Sequence, residues 1–144
     1  MSGINRTRID VTAADRFVSL RRPLGVTGIG MNLILLDPGQ RGRIHAHAHQ
    51  EEVYIVWDGV LTLVTDGEQQ DLGRGDAVSV PPATRRQLVN YGPGRVAVIA
   101  LGADPGTHNG RDGIVWASWD DAEPAGAPQD LPAPDDLPAD QLRH

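Results

Sequence analysis

Apolar residues between Met31 and Leu101 occur in short runs, and several of these runs alternate with polar residues at a period of two. In chain order the runs are MNLILL, RIHAHAH, EVYIVW, VLTLVT, QQDL, AVSV, RQLV and RVAVIAL. Turn signals separate them, and the Asp-Gly pairs at Asp58 and Asp66 suit tight hairpins because glycine accepts a positive φ. No segment of this region repeats apolar residues at the 3.6-residue period of a helix. Short strands at this spacing predict an all-β sandwich or barrel.

The two ends of the chain differ from this central region. Residues 1–24 hold one candidate edge strand within an arm, and residues 25–116 form the predicted barrel. Residues 117–144 are acidic and rich in Pro and Ala, a composition that cannot bury a core. We expect this tail to be extended or disordered, with a strap across the barrel or across a partner subunit as the alternative. Trp116 and Trp119, just before the tail, are expected to anchor the chain end on the barrel.

The net charge is concentrated in the tail. The 144-residue chain has a formal net charge of −6 at pH 7. Residues 120–144 contain seven acids and one arginine, which accounts for all of it. Nucleic-acid affinity comes largely from neutralising phosphates, so a neutral body with an acidic tail is a poor partner for nucleic acid or for an anionic membrane.

Two missing residue types exclude several chemistries. The chain has no cysteine, which excludes disulfides, thiolate zinc sites and cysteine nucleophiles. Its 13 basic residues are all arginine, which excludes Schiff-base and lysine general-base chemistry. The first residues lack the apolar stretch of a secretory signal, and no apolar run approaches the roughly 20 residues that span a bilayer. We therefore expect a cytoplasmic protein.

Three of the five histidines stand at alternate positions in one predicted strand. His45 and His47 share a face of that strand, and His49 joins them if the strand extends so far. Imidazole is a common transition-metal ligand, and a carboxylate from the following Glu51-Glu52 pair could complete a three-residue facial site. The alternative is a polar outer face, or neutral histidines hydrogen-bonded in a rim.

The order of these residues resembles the first motif of the cupin superfamily. Gly39 is followed by five residues and His45-Ala46-His47, then by four residues and Glu52, then by six residues and Gly59. These intervals match the motif throughout.

The second cupin motif is matched in part. Gly75 is followed by five residues and Pro81, and Asn90 stands at the motif's last position. Ala83 replaces a glycine of the motif, and Arg86 stands in place of its third histidine ligand.

The resemblance implies a small double-stranded β-helix, the jelly-roll cupin barrel, with its site inside and His45, His47 and Glu52 as metal ligands. It also implies a homodimer, as small cupins usually are. Glu51 is expected to face outward and His49 to lie on the rim. Tyr54, Val56 and Leu88 are expected to line the interior, while Trp57 lies outside the cavity, where a subunit contact could form. His108 is expected to be a surface-loop residue.

Arg86 leaves several arrangements open, because a guanidinium has no lone pair with which to bind a metal. In one arrangement, Arg86 lies near the mouth and leaves His45, His47 and Glu52 as the metal ligands. In another, its planar guanidinium holds an anionic substrate that also touches the metal. In a third arrangement it pairs with Glu52 in a site without metal. A one-residue shift would instead turn Arg85 or Gln87 inward, and Gln87 could then coordinate weakly.

Two hypotheses for function follow from the resemblance. In the first, the chain binds one divalent transition metal (Fe, Mn, Ni, Zn or Cu) and is a dioxygenase-like or isomerase-like enzyme. Its substrate is a small molecule, and Arg86 favours an anionic one. In the second, it is a non-catalytic protein that binds or senses a small molecule, either with metal or without it. The loss of the third histidine favours this second hypothesis. Arg86, Tyr54 and His49 are the candidate ligand-binding residues, and the fold alone does not choose between the hypotheses.

Overall fold

The alternating segments fold into two antiparallel sheets in a computed structural model that describes residues 3–103 and 112–144. His108 lies outside the described residues. The elements are β1 (Phe17–Ser19), α1 (Arg21–Leu24), β2 (Gly30–Leu36), β3 (Ile44–His47), β4 (Glu51–Asp58), β5 (Leu61–Thr65), β6 (Glu68–Leu72), β7 (Ala77–Val80), β8 (Arg86–Val89), β9 (Val96–Ala103) and β10 (Gly113–Trp116).

The strand order is that of a jelly roll. One sheet runs β1-β2-β9-β4-β7 and the other runs β10-β3-β8-β5-β6. The predicted all-β fold, a small double-stranded β-helix, is confirmed. β10 and the four-residue α1 are additions to the elements that the hydrophobic pattern predicted. Among the described residues, no helix has the length and apolar character needed to cross a membrane.

The inner faces of the two sheets form the main core. Apolar side chains from both sheets meet there, and most are almost completely removed from solvent: Ile34, Leu36, Tyr54, Val56, Leu61, Leu63, Val80, Leu88, Val96, Val98 and Ala100. Burying a side chain of this size stabilises a fold by roughly 1.5 to 3 kcal/mol. Trp57 lies outside this core and is 47% exposed. The packed sheets provide a rigid frame for the polar residues between them.

The turn between β4 and β5 requires the glycine of the first motif. Gly59 has a φ of 78°, a conformation that L side chains rarely adopt. A Cβ atom at this position would also collide with the carbonyl oxygen of Arg95. The hairpin predicted here is wrong, because β4 and β5 belong to different sheets and the turn crosses between them. The hairpin predicted at Asp66-Gly67 is confirmed, since β5 pairs with β6.

The tail is extended along the barrel, apart from two single 3₁₀ turns at Pro128–Asp130 and Ala139–Gln141. Backbone hydrogen bonds attach it at separate points, since Leu137 N donates to Gly39 O at 2.8 Å and Arg143 N donates to Tyr91 O at 2.7 Å. Trp119 Nε1, just before these points, donates to Gln87 Oε1 at 3.1 Å.

Candidate metal centre

Two histidines of β3 and a glutamate of β4 meet inside the barrel. His45 and His47 are two residues apart on β3, so their side chains share the inner face of that sheet. Glu52, near the start of β4, belongs to the opposite sheet. Its Oε1 atom lies 3.3 Å from His45 Nε2 and 3.2 Å from His47 Nε2. The structure thus brings together the three side chains predicted as metal ligands.

Hydrogen bonds on the far side of each imidazole determine which nitrogen faces Glu52. His47 Nδ1 donates to Asp112 Oδ1 at 2.8 Å, and His45 Nδ1 donates to the Arg43 carbonyl oxygen at 3.1 Å. Both partners can only accept, so each Nδ1 carries a proton and each Nε2 of a neutral ring keeps its lone pair. Two lone pairs and a carboxylate oxygen therefore converge. Such acceptors repel one another unless a cation or a proton lies between them.

The spacing of these three acceptor atoms fits one metal ion. Ligand atoms about 2.1 Å from an ion and at right angles to each other are about 3 Å apart, close to the separations from Glu52 Oε1. All three atoms lie within 4.8 Å of one another. His47 Nε2 is buried and has no hydrogen-bond partner, although Glu52 Oε1 lies 3.2 Å away. The residues present therefore fit a divalent transition metal.

The charges around the triad keep Glu52 ionised. Burial acts to raise the pKa of Glu52, but the interactions of this carboxyl with the nearby imidazoles of His45 and His47 outweigh burial and hold the pKa well below its usual range. Burial lowers the pKa of His47, but Glu52 and Asp112 together raise it above its ordinary value. An ionised Glu52 meets the requirement for a carboxylate ligand.

Tyr54 extends the site along β4. Its hydroxyl donates to Glu52 Oε1 and lies 3.5 Å from His45 Nε2. Burial and the charge of Glu52 raise the pKa of Tyr54 well above its ordinary value, so the hydroxyl keeps its proton. The side chain lines the cavity, as the sequence predicted.

The triad faces a cavity of about 320 Å³. Much of its wall is apolar and comes from both sheets: Ile34, Leu36, Leu88, Ala100 and Val115. Three arginines, Arg16, Arg41 and Arg43, also line it. This volume suits a small molecule rather than a polymer segment.

Arg86 lies deep in the barrel and not near its mouth. It is 0% exposed, and it pairs with His45 across β3 and β8, so both side chains share a face. Its Nε atom is 3.5 Å from Glu52 Oε1. Its terminal nitrogens donate to backbone carbonyl oxygens, of which Thr84 O at 2.8 Å and Pro82 O at 3.2 Å are nearest. These donors are occupied within the protein, and the role of Arg86 as a ligand clamp stays a prediction.

His49 also lies outside the site. β3 ends at His47, and His49 is exposed beyond it, with its backbone N–H donating to Asp112 Oδ2 at 2.9 Å. The alternation of β3 stops where the chain turns, so His49 does not share the inner face with His45 and His47, and its role in ligand binding stays a prediction. Gln87 faces away from the triad and donates to Gly42 O at 2.9 Å, so the one-residue shift that would turn it inward is not present.

Comparison with known proteins decides the family. The family model described as the cupin domain matches residues 32–102, which include both motifs and the triad. A solved cupin protein from Bacteroides fragilis superposes with a TM-score of 0.63 at 23% identity, covering 76% of this chain and 92% of that one. The chain belongs to the cupin superfamily.

Other relatives of this cupin include a solved structure whose name gives an activity and a curated protein that is uncharacterized. A candidate sugar phosphate isomerase from Acidithiobacillus ferrooxidans is 25% identical with a TM-score of 0.59, covering 69% of this chain and 62% of that one. An uncharacterized protein of Methanocaldococcus jannaschii is 26% identical over 74 residues. That alignment covers 51% of this cupin and 59% of the relative, so the chain spans little more than half of the curated protein it matches.

The second cupin motif has a structural role here. Asn90 is 0% exposed, and its amide donates to Leu36 O at 2.8 Å and Gly94 O at 2.9 Å. Its side-chain oxygen accepts from Gly92 N at 2.7 Å. Ala83 stands without strain where the motif has glycine, because no described non-glycine residue has a positive φ.

Asp112 is a part of the site that sequence reasoning missed. It directly precedes β10, and its side chain is 8% exposed. One carboxylate oxygen holds His47 Nδ1, and the other accepts the backbone N–H groups of His49 and Gln50 at 2.9 and 2.8 Å. Nothing in the sequence around Asp112 marks it, because only the β10–β3 pairing, His47 with Gly113, brings it to His47.

Replacing Asp112 with alanine is expected to weaken binding of a divalent metal by about 10- to 100-fold, because a carboxylate behind a ligating imidazole orients the ring and fixes its tautomer. Titration of the purified variant with Zn²⁺ against a chelator measures the change. Asp15→Ala, at an exposed carboxylate in the arm, is the control. Equal affinities for the two variants would contradict the orienting role.

Proposed function

We propose that this cupin is a metal-dependent enzyme that acts on a small anionic molecule and holds one divalent cation with His45, His47 and Glu52. The observation that carries the proposal is the convergence of the acceptor atoms of His45, His47 and Glu52. These atoms repel one another unless a cation or a proton lies between them.

Different residues of the chain have different roles in such a metal site. A bound metal with three protein ligands supplies Lewis-acid chemistry or a binding position for O₂. Asp112 and the Arg43 carbonyl hold the two imidazoles in one orientation. Tyr54 keeps its proton and donates to Glu52, which fixes the carboxylate. The apolar wall limits the water around the substrate.

We favour an isomerase-like reaction over a dioxygenase-like one. The support is the 25% identity to a candidate sugar phosphate isomerase. A metal that polarises a small oxygen-rich substrate serves an isomerase-like or a dioxygenase-like reaction, and an activity assay distinguishes the two.

A second candidate function is that of a non-catalytic ligand-binding protein without metal. The specific observation in its favour is the ion pair between Arg86 and Glu52, 3.5 Å apart, at the place of the family's third ligand. In this version the protonated imidazoles satisfy Glu52, and the cavity binds its ligand by hydrogen bonds alone.

An activity assay tests the two versions. The protein is loaded with Mn²⁺ or Zn²⁺ and mixed with aldose and ketose hexose 6-phosphates, and interconversion is followed by NMR. We expect turnover that His47→Ala abolishes and that His49→Ala, a neighbouring histidine outside the cavity, leaves unchanged. Equal turnover with and without His47 would contradict the metal-dependent enzyme, and ligand binding without turnover by a protein that takes up no metal would favour the second candidate.

A further inference from the structure

The tail crosses the cavity that the triad faces. Pro128 and Ala133 form part of the cavity wall. On its outer side, the tail from Leu131 to Asp135 lines a second and more open cavity together with Trp116 and Trp119. We call residues 131–136 the strap, of which Ala133 lines both cavities.

Three arginines hold the strap. Each of them also lines the metal cavity. In the described part of the chain, every hydrogen bond that reaches the strap from the barrel or the arm comes from these arginines. The bonds are Arg43 Nε and Nη2 to Leu131 O at 3.0 and 2.8 Å, Arg41 Nε to Asp135 O at 3.0 Å, and Arg16 Nη2 to Asp136 Oδ1 at 3.4 Å.

The positive charges of this group are poorly neutralised. Within residues 3–103 and 112–144, Arg41 and Arg43 have no carboxylate within ion-pair distance, and the bonds above give them only neutral carbonyl oxygens. Arg16 has a carboxylate partner, but its Nη1 atom is buried without a hydrogen-bond partner. Hydrogen bonds from a guanidinium to an anion are roughly twice as strong as those to a neutral acceptor.

The strap itself is loosely attached. Pro132 and Pro134 have no backbone N–H to donate, and most side chains of the segment are exposed. Arg43 directs two donors at the single carbonyl oxygen of Leu131, the kind of grip that a guanidinium uses on an oxyanion.

We propose that Arg16, Arg41 and Arg43 bind the oxyanion group of the substrate, a carboxylate or a phosphate, in exchange for the strap that they now hold. The strap then occupies the anion site in the free protein and leaves it when substrate enters. This inference rests on the proposed function for the reaction, whereas anion binding by the arginines does not require the metal.

Calorimetric titration of the full-length, chelator-treated protein with inorganic phosphate, and separately with malonate, tests the proposal. Arg43→Gln is expected to weaken binding by about 10- to 100-fold, because it removes two charge-assisted hydrogen bonds. Asp136→Asn is expected to tighten binding by about two- to fivefold, because it frees Arg16 from an exposed ion pair. Arg74→Gln, at an exposed arginine in the turn before β7, is the matched control and should bind as the unaltered protein does.

The outcomes separate this inference from the proposed function. Tighter binding of phosphate than malonate assigns the anion as a phosphate, and the reverse assigns a carboxylate. The proposal is overturned if Arg43→Gln binds both probes as well as Arg74→Gln, or if Asp136→Asn binds them no better than the unaltered protein. If the chelator-treated protein shows both shifts but takes up no Zn²⁺ when the metal is added back, the anion site stands and the metal-dependent enzyme fails. Anion binding that appears only with metal and disappears in His47→Ala overturns the role of the arginines and keeps the metal site.

Discussion

Replacing Arg86 with methionine is expected to lower the free energy of unfolding of the metal-free protein by about 3 to 5 kcal/mol, the usual result of removing one partner from a buried ion pair. Arg86 is 0% exposed and lies 3.5 Å from Glu52 Oε1. Methionine has a similar length but no donors, so it leaves the carbonyl oxygens of Pro82 and Thr84 without their partner. Loss of these bonds adds to the cost of removing the positive charge beside Glu52.

Urea denaturation of the variant, monitored by tryptophan fluorescence, gives the change in unfolding free energy. Arg74→Met, at an exposed arginine, should change it by no more than about 0.5 kcal/mol. A variant at Arg86 that unfolds within about 1 kcal/mol of the unaltered protein would contradict the internal ion pair.

Replacing Arg86 with histidine is expected to tighten binding of a divalent metal by about 100-fold. A unit charge about 5 Å from a divalent ion, at an effective dielectric of about 20, opposes binding by roughly 6 to 7 kcal/mol, and attraction to Glu52 returns about half. Histidine removes this repulsion and supplies a fourth ligand of a type that the site already uses.

Competition with a chelator of known affinity measures the change for Zn²⁺ and Mn²⁺. Gln87→His, which places an imidazole on the neighbouring residue but on the opposite face of β8, is the control and should leave affinity unaltered. Unchanged or weaker binding by Arg86→His would mean that residue 86 does not face the metal position.

The first motif could be read from the sequence because each of its features is local. The period-two spacing of His45 and His47 determines that they share a face, whatever the rest of the chain does. The six-residue interval between Glu52 and Gly59 places the carboxylate near the start of a strand. That strand ends in a turn, and the turn requires glycine. The fold and the meeting of the triad therefore follow from short-range pattern together with the family resemblance.

The features that could not be predicted depend on contacts between distant segments. His49 leaves the site because the Asp112 carboxylate takes its backbone N–H, 63 residues away in sequence. The register of β8 predicts that Arg86 points inward, but the turn carbonyls that draw its guanidinium away from the mouth have no sequence signal. The composition of the tail predicts an extended or disordered segment, and its path along the barrel depends on contacts with distant residues such as Gly39, Arg41 and Arg43.

The central claim is that His45, His47 and Glu52 bind one divalent metal. The most direct measurement is elemental analysis of untagged protein, purified without added metal and again after incubation with Zn²⁺ and desalting, for the unaltered protein, His47→Ala and His49→Ala. We expect about one metal per chain in the unaltered protein and in His49→Ala, and close to none in His47→Ala. Metal content that is near zero in all three, or that does not depend on His47, would contradict the account.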